Sequence, residues 1–406
     1  MSDDYEFDRH DIRVEQRDYL PVEVADVRHP SRGGWRNEAI EAYHELWGEA
    51  EYEANSREQF LYPMPARSKR GERGLRRLRR TARMMFGTRA LFTGKRVTHF
   101  RGVGARGHID IVAQPEFPEH EFFRAGRRFD CRLRHANASF ADDALVQVRG
   151  CALKFTDADF DSPYDLVLNS GATSAFWSFW SFMDFAKART WDQFTPSQWT
   201  GQKRWFRRLP YGFIGSVESL RSLPSSFADV TYYSKIAYPF QAKDGRRRYA
   251  KYRVLRPGLE RESGLLTPAE QRKAWYQSRE RGDERPKAIL AREFEQRLAS
   301  PLEYQLQIQL WDWDDERDTA EVLNLCRYWD EGAHPWLDLA TVTLDAAMPA
   351  KQTEVTRFWL GHQPASLGIA EPTHIRDYRS LAWARVGVYG YSRKASVPLG
   401  KLLGRR

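Results

Sequence analysis

Cysteine is scarce: Cys131, Cys151 and Cys326 are all that 406 residues hold, and no two form a Cys-x-x-Cys pair. That excludes a disulfide-stapled scaffold, argues against a cysteine-based zinc site and points to a reducing compartment. Long hydrophobic runs are missing too; nothing approaches the roughly 18 apolar residues of a membrane span. The opening MSDDYEFDRHD is acidic and lacks the apolar stretch of a secretory signal. The expected location is therefore cytoplasmic. No internal repeat is visible, and one arginine-rich segment is the only compositionally biased tract.

What the chain has instead is aromatic surface and positive charge. Aromatics make up 14%, with 14 tryptophans, which fits either an interior built around something large and flat or a tryptophan-rich core. The formal net charge of +9 favours anionic partners: phospholipid, nucleic acid or an acidic small molecule.

Residues 1–92 read as an N-terminal arm and 93–406 as the main domain. Within the arm, Asn37–Ala54 has helical periodicity. In Ala66–Gly87, Leu75, Leu78, Ala82 and Met85 recur at helical spacing opposite Arg76, Arg77, Arg79, Arg80 and Arg83. This basic amphipathic helix would either rest on the main domain with its charges in water, or lie on an anionic membrane surface through Leu75–Met85. Nucleic acid is not the expected partner, because charge alone gives salt-sensitive, non-specific binding and no nucleic-acid fold motif accompanies it. The length of the arm points to exchange between subunits of a homo-oligomer.

Strand-like segments dominate the main domain: His108–Gln114, Ala144–Gly150, Tyr249–Arg256, Tyr304–Trp311 and Trp336–Leu344. In the fourth, Leu306, Ile308 and Leu310 share one face and glutamines the other. Thr267 to Glu270 has the form of a capping box with proline in the first turn, and Lys287–Ala299 reads as a further helix. Strands in runs with helices inserted predict an α+β chain built on an antiparallel β-barrel.

Two segments carry chemistry. Near the carboxyl end, Arg385 and Tyr389 lie four apart, so on a helix their side chains meet. A guanidinium beside a phenol favours the phenolate, a hard anionic ligand able to hold ferric iron. By itself such a pair is an ordinary helix contact. The second segment is Lys95–Gly107, KRVTHFRGVGARG, where His99 stands between a threonine and an aromatic, ahead of Gly102, Gly104 and Gly107.

Together these segments resemble the catalase superfamily, in which a tyrosine binds heme iron. Catalases carry a distal histidine in a segment similar to Arg-Val-Val-His-Ala-Lys-Gly-Ala-Gly-Ala-x-Gly; here Arg96 stands three before His99 and the glycines keep their offsets. RHANA (Arg134–Ala138) resembles the strand that supplies a second heme-facing arginine, and VRGCALKF (Val148–Phe155) resembles the Arg-Gly-Phe-Ala-x-Lys-Phe block. YDLVLNS (Tyr164–Ser170) is similar to the block that places a distal asparagine, here Asn169, and Phe182 stands where a phenylalanine stacks on the heme. The resemblance covers roughly residues 93–394.

It implies a catalase-like barrel with inserted and C-terminal helices, binding heme b. Tyr389 would ligate the iron, Arg385 would support the phenolate, and Arg96 and Arg134 would hold the propionates. His99 would manage a proton and Asn169 would orient the peroxide. Taken singly, each has a plainer reading: a turn histidine, an Asx-turn, a core phenylalanine, surface charges.

Thr98 leans the resemblance toward one branch. Catalases place valine before the histidine; the catalase-related allene oxide synthases, which rearrange fatty-acid hydroperoxides, place threonine there, whose hydroxyl can hydrogen-bond the imidazole. Ser174 and Ala175 fall where catalases have two pocket phenylalanines, which predicts a wider distal cavity, and the chain ends soon after Tyr389, as in the small synthase-like members. Gly390-Tyr391 stand where catalases have Asp-Thr after the tyrosine, and the tryptophan-rich Ala175–Phe182 is unlike either group. The expected function is conversion of a fatty-acid or other organic hydroperoxide. The rivals are a catalase or peroxidase acting on hydrogen peroxide, and a heme-binding or heme-sensing protein without turnover.

Overall fold

The structure, a computed structural model, describes residues 33–60, 68–93, 96, 98–99, 101–192, 194, 199–276, 278–279, 281–312 and 322–395. Residues 1–32, the start of the arm from which subunit exchange was expected, lie outside them, as do Lys95, Val97 and Phe100 of the histidine segment.

Eight strands close into an antiparallel barrel. They are β1 (Gly102–Ile111), β2 (Arg128–Asn137), β3 (Gln147–Lys154), β4 (Asp165–Ser170), β6 (Tyr232–Tyr233), β8 (Arg247–Leu255), β9 (Leu302–Asp312) and β10 (Trp336–Ala347). The hydrogen-bonded order runs β2-β1-β10-β9-β8-β6-β4-β3, and β3 returns to β2 through Arg132↔Lys154 to Asn137↔Arg149. Two short strands stand off the ring: β5 (Leu220–Arg221) pairs with β3, and β7 (Tyr238–Gln241) with β8. Closure removes the exposed edges that an open sheet of this size would carry.

The five expected strands correspond to β1, β3, β8, β9 and β10, with shifted ends. In β9 the alternation holds: Leu302, Tyr304, Leu306 and Ile308 are buried, and the half-buried Leu310 packs against the same core. On the other face Gln309 is buried as well, its amide donating to the His334 carbonyl at 2.6 Å.

Helices wrap the barrel. The expected helix at Asn37–Ala54 is two, α1 (Gly33–Trp47) and α2 (Glu49–Phe60), because Gly48 between them takes a left-handed φ of 94° that a helix cannot continue through. Between β4 and β5 run α4 (Phe179–Asp192), α5 (Thr200–Arg208) and α6 (Pro210–Ser219). The four-residue α7 (Pro268–Gln271) has the capping box read from sequence, with Thr267 and Glu270 bonding reciprocally. The helix expected at Lys287–Ala299 is α8 (Ile289–Arg297), and α9 (Ala350–Val355) and α10 (Ser380–Ala395) follow β10.

The basic helix is α3 (Lys69–Thr93). Its apolar stripe does not face outward: Leu75, Leu78 and Ala82 are buried in the same core as Leu381, Ala382 and Ala384 of α10. Arg79 lies over the Trp383 ring at 4.3 Å. The expected membrane contact through Leu75–Met85 is therefore not supported: Leu75, Leu78 and Ala82 are taken up by the packing against the C-terminal helix, and the Met85 side chain lies outside the described ones. Arg76, Arg77, Arg80 and Arg83 remain in water. The tryptophans serve a second core: Trp177, Trp205 and Trp329 are buried with Tyr43 and Phe213 outside the barrel.

Candidate active site

Strand alternation builds one wall of the site. On β2, β3 and β4, Cys131, Leu133, His135, Cys151, Leu153, Leu166 and Leu168 belong to the barrel core. The alternate residues, Arg134, Ala136, Val148, Gly150, Ala152, Val167 and Asn169, therefore share the opposite face. Register aligns them in rows: Ala136 pairs with Gly150 and Gly150 with Asn169, beside a row of Arg134, Ala152 and Val167. The result is a floor of small side chains with a guanidinium and an amide at its edges. α4 and α10 cover it, leaving a cavity of about 410 Å³, within the roughly 300–1,000 Å³ usual for cofactor and small-molecule sites.

Every site residue read from the sequence lines this one cavity: Arg96, Thr98, His99, Arg134, Asn169, Phe182, Arg385 and Tyr389. His99 has a left-handed φ of 53°, a conformation costing roughly 1–2 kcal/mol in a non-glycine residue. It sets the imidazole directly on β3, where a Cβ at Gly150 would stand 2.7 Å from Cε1. The His99 N–H donates to the Ala138 carbonyl, and Arg134 Nη2 donates to the His99 carbonyl at 2.9 Å. Gly102 is equally constrained, since a Cβ there would meet the His135 carbonyl at 2.3 Å and the Arg134 guanidinium at 2.6 Å. The glycine-rich turn is thus what lets histidine and arginine lie flat against the wall.

Burial, with the charges of Arg134, Arg385 and Arg96 adding to it, pushes His99 down to about 3, so the ring is neutral near pH 7. The expected hydrogen bond from Thr98 to this ring is not formed. The left-handed turn directs the imidazole onto Gly150, while the exposed Thr98 only lines the cavity.

Across the cavity, α10 presents Leu381, Arg385, Tyr389 and Arg393 in one line, four residues apart. Arg385 Nη2 lies 3.4 Å from the Tyr389 oxygen. Burial opposes the Arg385 charge, but the Tyr389 and Tyr238 oxygens outweigh it and hold its pKa above the ordinary value. Phe182 on α4 packs edge-on to Phe176 at 5.3 Å and parallel to Phe86 of α3 at 6.3 Å.

Three arginines crowd one end, Arg134 and Arg357 buried and Arg96 half-buried. Arg96 donates to the carbonyls of Glu354 and Thr356 at the C-terminal end of α9, and Arg357 also donates to the Glu354 carbonyl. Burial lowers the pKa of all three; the Arg357 charge lowers Arg134 further, to about 10, and the Arg134 and Arg357 charges lower Arg96 to well below its ordinary value, while the Glu354 carboxylate partly offsets each shift. Among the described residues no Asp or Glu lines the cavity.

Arg357 escaped the sequence reading because it stands in a loop after α9, outside the periodic patterns of helix and strand. Lys235 escaped it for the same reason; its φ is 59°, its Nζ donates to Ser219 Oγ at 2.5 Å, and burial pushes it down to about 7. Conversely, Lys154 and Asp165, from two of the quoted blocks, form a fully buried ion pair at 3.1 Å. Asp165 also accepts from the Trp359 backbone and bonds His362 at 2.8 Å, tying the segment before α10 to the barrel.

A closed eight-stranded antiparallel barrel with this cavity against its wall is the catalase-like fold. A fungal catalase superposes with a TM-score of 0.57 at 16% identity, covering 77% of this chain and 61% of that one. Catalase A from Saccharomyces cerevisiae gives 0.56 at 16%, over 77% and 63%. No protein-family model matches the chain. Within that fold, this chain is a relative of the allene oxide synthase-lipoxygenase protein of Plexaura homomalla, 38% identical over 362 residues, which are 87% of this chain and 33% of that protein. It is also 30% identical over 272 residues to linolenate 9R-lipoxygenase of Nostoc sp. (strain PCC 7120), 64% of this chain and 33% of that one. The chain spans about a third of the length of these curated relatives.

Proposed function

We propose that this chain is a heme-dependent enzyme of hydroperoxide metabolism. Its reaction would be the allene oxide synthase-like rearrangement of a fatty-acid or other organic hydroperoxide. The observation that carries this is the meeting, in one cavity, of the Arg385–Tyr389 pair with His99 and Asn169. Kinship with the Plexaura homomalla protein supports the choice of reaction.

The residues present fit a heme b. Asn169 Oδ1 and Arg134 Nε are buried without a partner, which costs free energy unless a ligand completes them. Three arginines converge at one end, an electropositive place for anionic groups. Among the described residues no cluster of His, Cys, Asp and Glu could hold a bare metal ion, so iron would need a ligand frame of its own. Tyr389 would be its protein ligand, Arg96, Arg134 and Arg357 would receive the propionates, and Phe182 would stack on the ring.

When bound, the heme iron supplies the one-electron chemistry that cleaves an O–O bond. Arg385 would stabilise the Tyr389 phenolate. His99, uncharged, would accept the hydroperoxide proton and return it, and Asn169 would orient the peroxide oxygen. Thr98 would act through the shape of the cavity, since it leaves the ring unbonded. Ser174 and Ala175 line the cavity and leave space for carbon beyond the peroxide, which favours an organic substrate over hydrogen peroxide.

The test reconstitutes the full chain with hemin and compares two reactions: oxygen release from hydrogen peroxide, and loss of conjugated-diene absorbance from linoleic acid 13-hydroperoxide. Diene loss with little oxygen is expected. Vigorous oxygen release without diene loss would return the chain to the catalases.

A further inference from the structure

We propose that Arg189 anchors the carboxylate of the substrate at the cavity rim, making the enzyme selective for free fatty-acid hydroperoxides that enter tail-first. This rests on the hydroperoxide reading above and adds to it a specificity-determining residue.

Besides Arg385 and Arg393 on α10 and Lys235 beside Ser219, the cavity's cations are Arg96, Arg134, Arg357 and Arg189. Arg96, Arg134 and Arg357 cluster near the end of α9, where two propionates would engage them. Arg189 stands elsewhere: its Nη1 donates to Ser139 Oγ at 3.3 Å and its guanidinium lies 5.9 Å from the Phe140 ring. Ser139 is five residues past Arg134, so the two anchor points are separated by up to roughly 17 Å of extended chain. His99 lies between them, its N–H bonded to Ala138.

α4 connects the reacting end to this cation. Phe182, Phe185 and Arg189 are spaced by three and four residues, so they share one face, and all three line the cavity. Seven residues of helix rise about 10 Å. A ligand following this face meets an aromatic wall and then a guanidinium, which is the chemistry of an acyl chain carrying a peroxide in mid-chain and a carboxylate at its end. A cation in the last turn is favoured by the helix dipole whatever its role. That does not explain why this one faces the cavity. Just beyond it, Trp191 is 66% and Phe194 80% exposed, so the surface flanking the rim is suited to an amphiphile.

The experiment compares linoleic acid 13-hydroperoxide with its methyl ester on the hemin-loaded chain, as wild type, Arg189→Ala and Arg189→Lys. Wild type should prefer the acid by about 10- to 100-fold in kcat/KM, the scale of a charge-assisted hydrogen bond. Arg189→Ala should erase that preference through KM rather than kcat, and Arg189→Lys should retain most of it. An acid-to-ester ratio unchanged in Arg189→Ala would overturn the anchor while leaving the reaction intact. Should wild type turn over neither compound, the hydroperoxide reading fails, and the anchor is decided by tryptophan-fluorescence titration with linoleate. A Kd raised about tenfold in Arg189→Ala, with that for methyl linoleate unmoved, sustains it; equal Kd values reject it.

Discussion

The imidazole of His99 lies so close over Gly150 that a Cβ on the glycine would stand 2.7 Å from Cε1 and 2.8 Å from Nδ1. The two residues are 51 positions apart, yet each dictates the other. Gly150→Ala should tilt the ring away from the cavity. Because a side chain gives way and not backbone, stability should drop by only about 1 kcal/mol. Hydroperoxide turnover should fall on the order of 100-fold, since small misplacements of a catalytic group are costly. Urea denaturation and steady-state rates on the same preparation check this; equal losses in both would mean the glycine serves packing alone.

Tyr389→Phe removes the phenol oxygen that Arg385 faces at 3.4 Å. The variant should fold with the wild-type circular dichroism spectrum and lose, or strongly shift, the ferric high-spin absorption of the hemin-loaded protein. Arg385→Ala should retain heme with a weaker bond to the tyrosine. An unchanged spectrum in Tyr389→Phe would assign the iron ligand elsewhere.

Burial pushes His135 down to about 3 and His120 to about 4, both below the ordinary 6.5. Each binds a proton more readily unfolded than folded. The stability they contribute is full above about pH 6.5 and declines as pH falls toward 3–4. Between pH 7 and pH 5 the two together should remove roughly 4 kcal/mol, read from urea midpoints at each pH. A flat profile would contradict their burial as neutral rings, His135 bonded to the Tyr304 hydroxyl at 2.9 Å and His120 parallel to Phe240 at 4.7 Å.

Leu78 of α3 is buried against the core that includes α10. Leu78→Ala should cost about 2–4 kcal/mol of stability through the cavity it leaves. If the stripe instead bound lipid, the same change would leave stability alone and weaken sedimentation with phosphatidylserine vesicles.

Much of the site was legible because it is written in local periods. Arg385 and Tyr389 meet because helical residues four apart always do, and Arg134, Gly150 and Asn169 share a face because each has the right parity on its own strand. Other features have no local signature. Arg357 enters from a loop, and Gln309, on the polar face of β9, is buried because the His334 carbonyl satisfies its amide. The stripe of α3 illustrates the ambiguity best: an apolar face predicts burial against something and says nothing about whether that is a membrane or another helix.

The order of residues alone therefore determined a β-barrel chain, an arginine-supported phenol and a histidine ahead of a glycine-rich turn, since each follows from spacing along the backbone. Tertiary structure decided that all of them open on one cavity, that the His99 N–H bonds the Ala138 carbonyl with no bond from Thr98 to the ring, and that α4 adds Arg189 to the cavity's arginines. Those outcomes depend on which strands and helices lie side by side, and contacts between distant segments are set by the closure of the barrel, not by any local repeat.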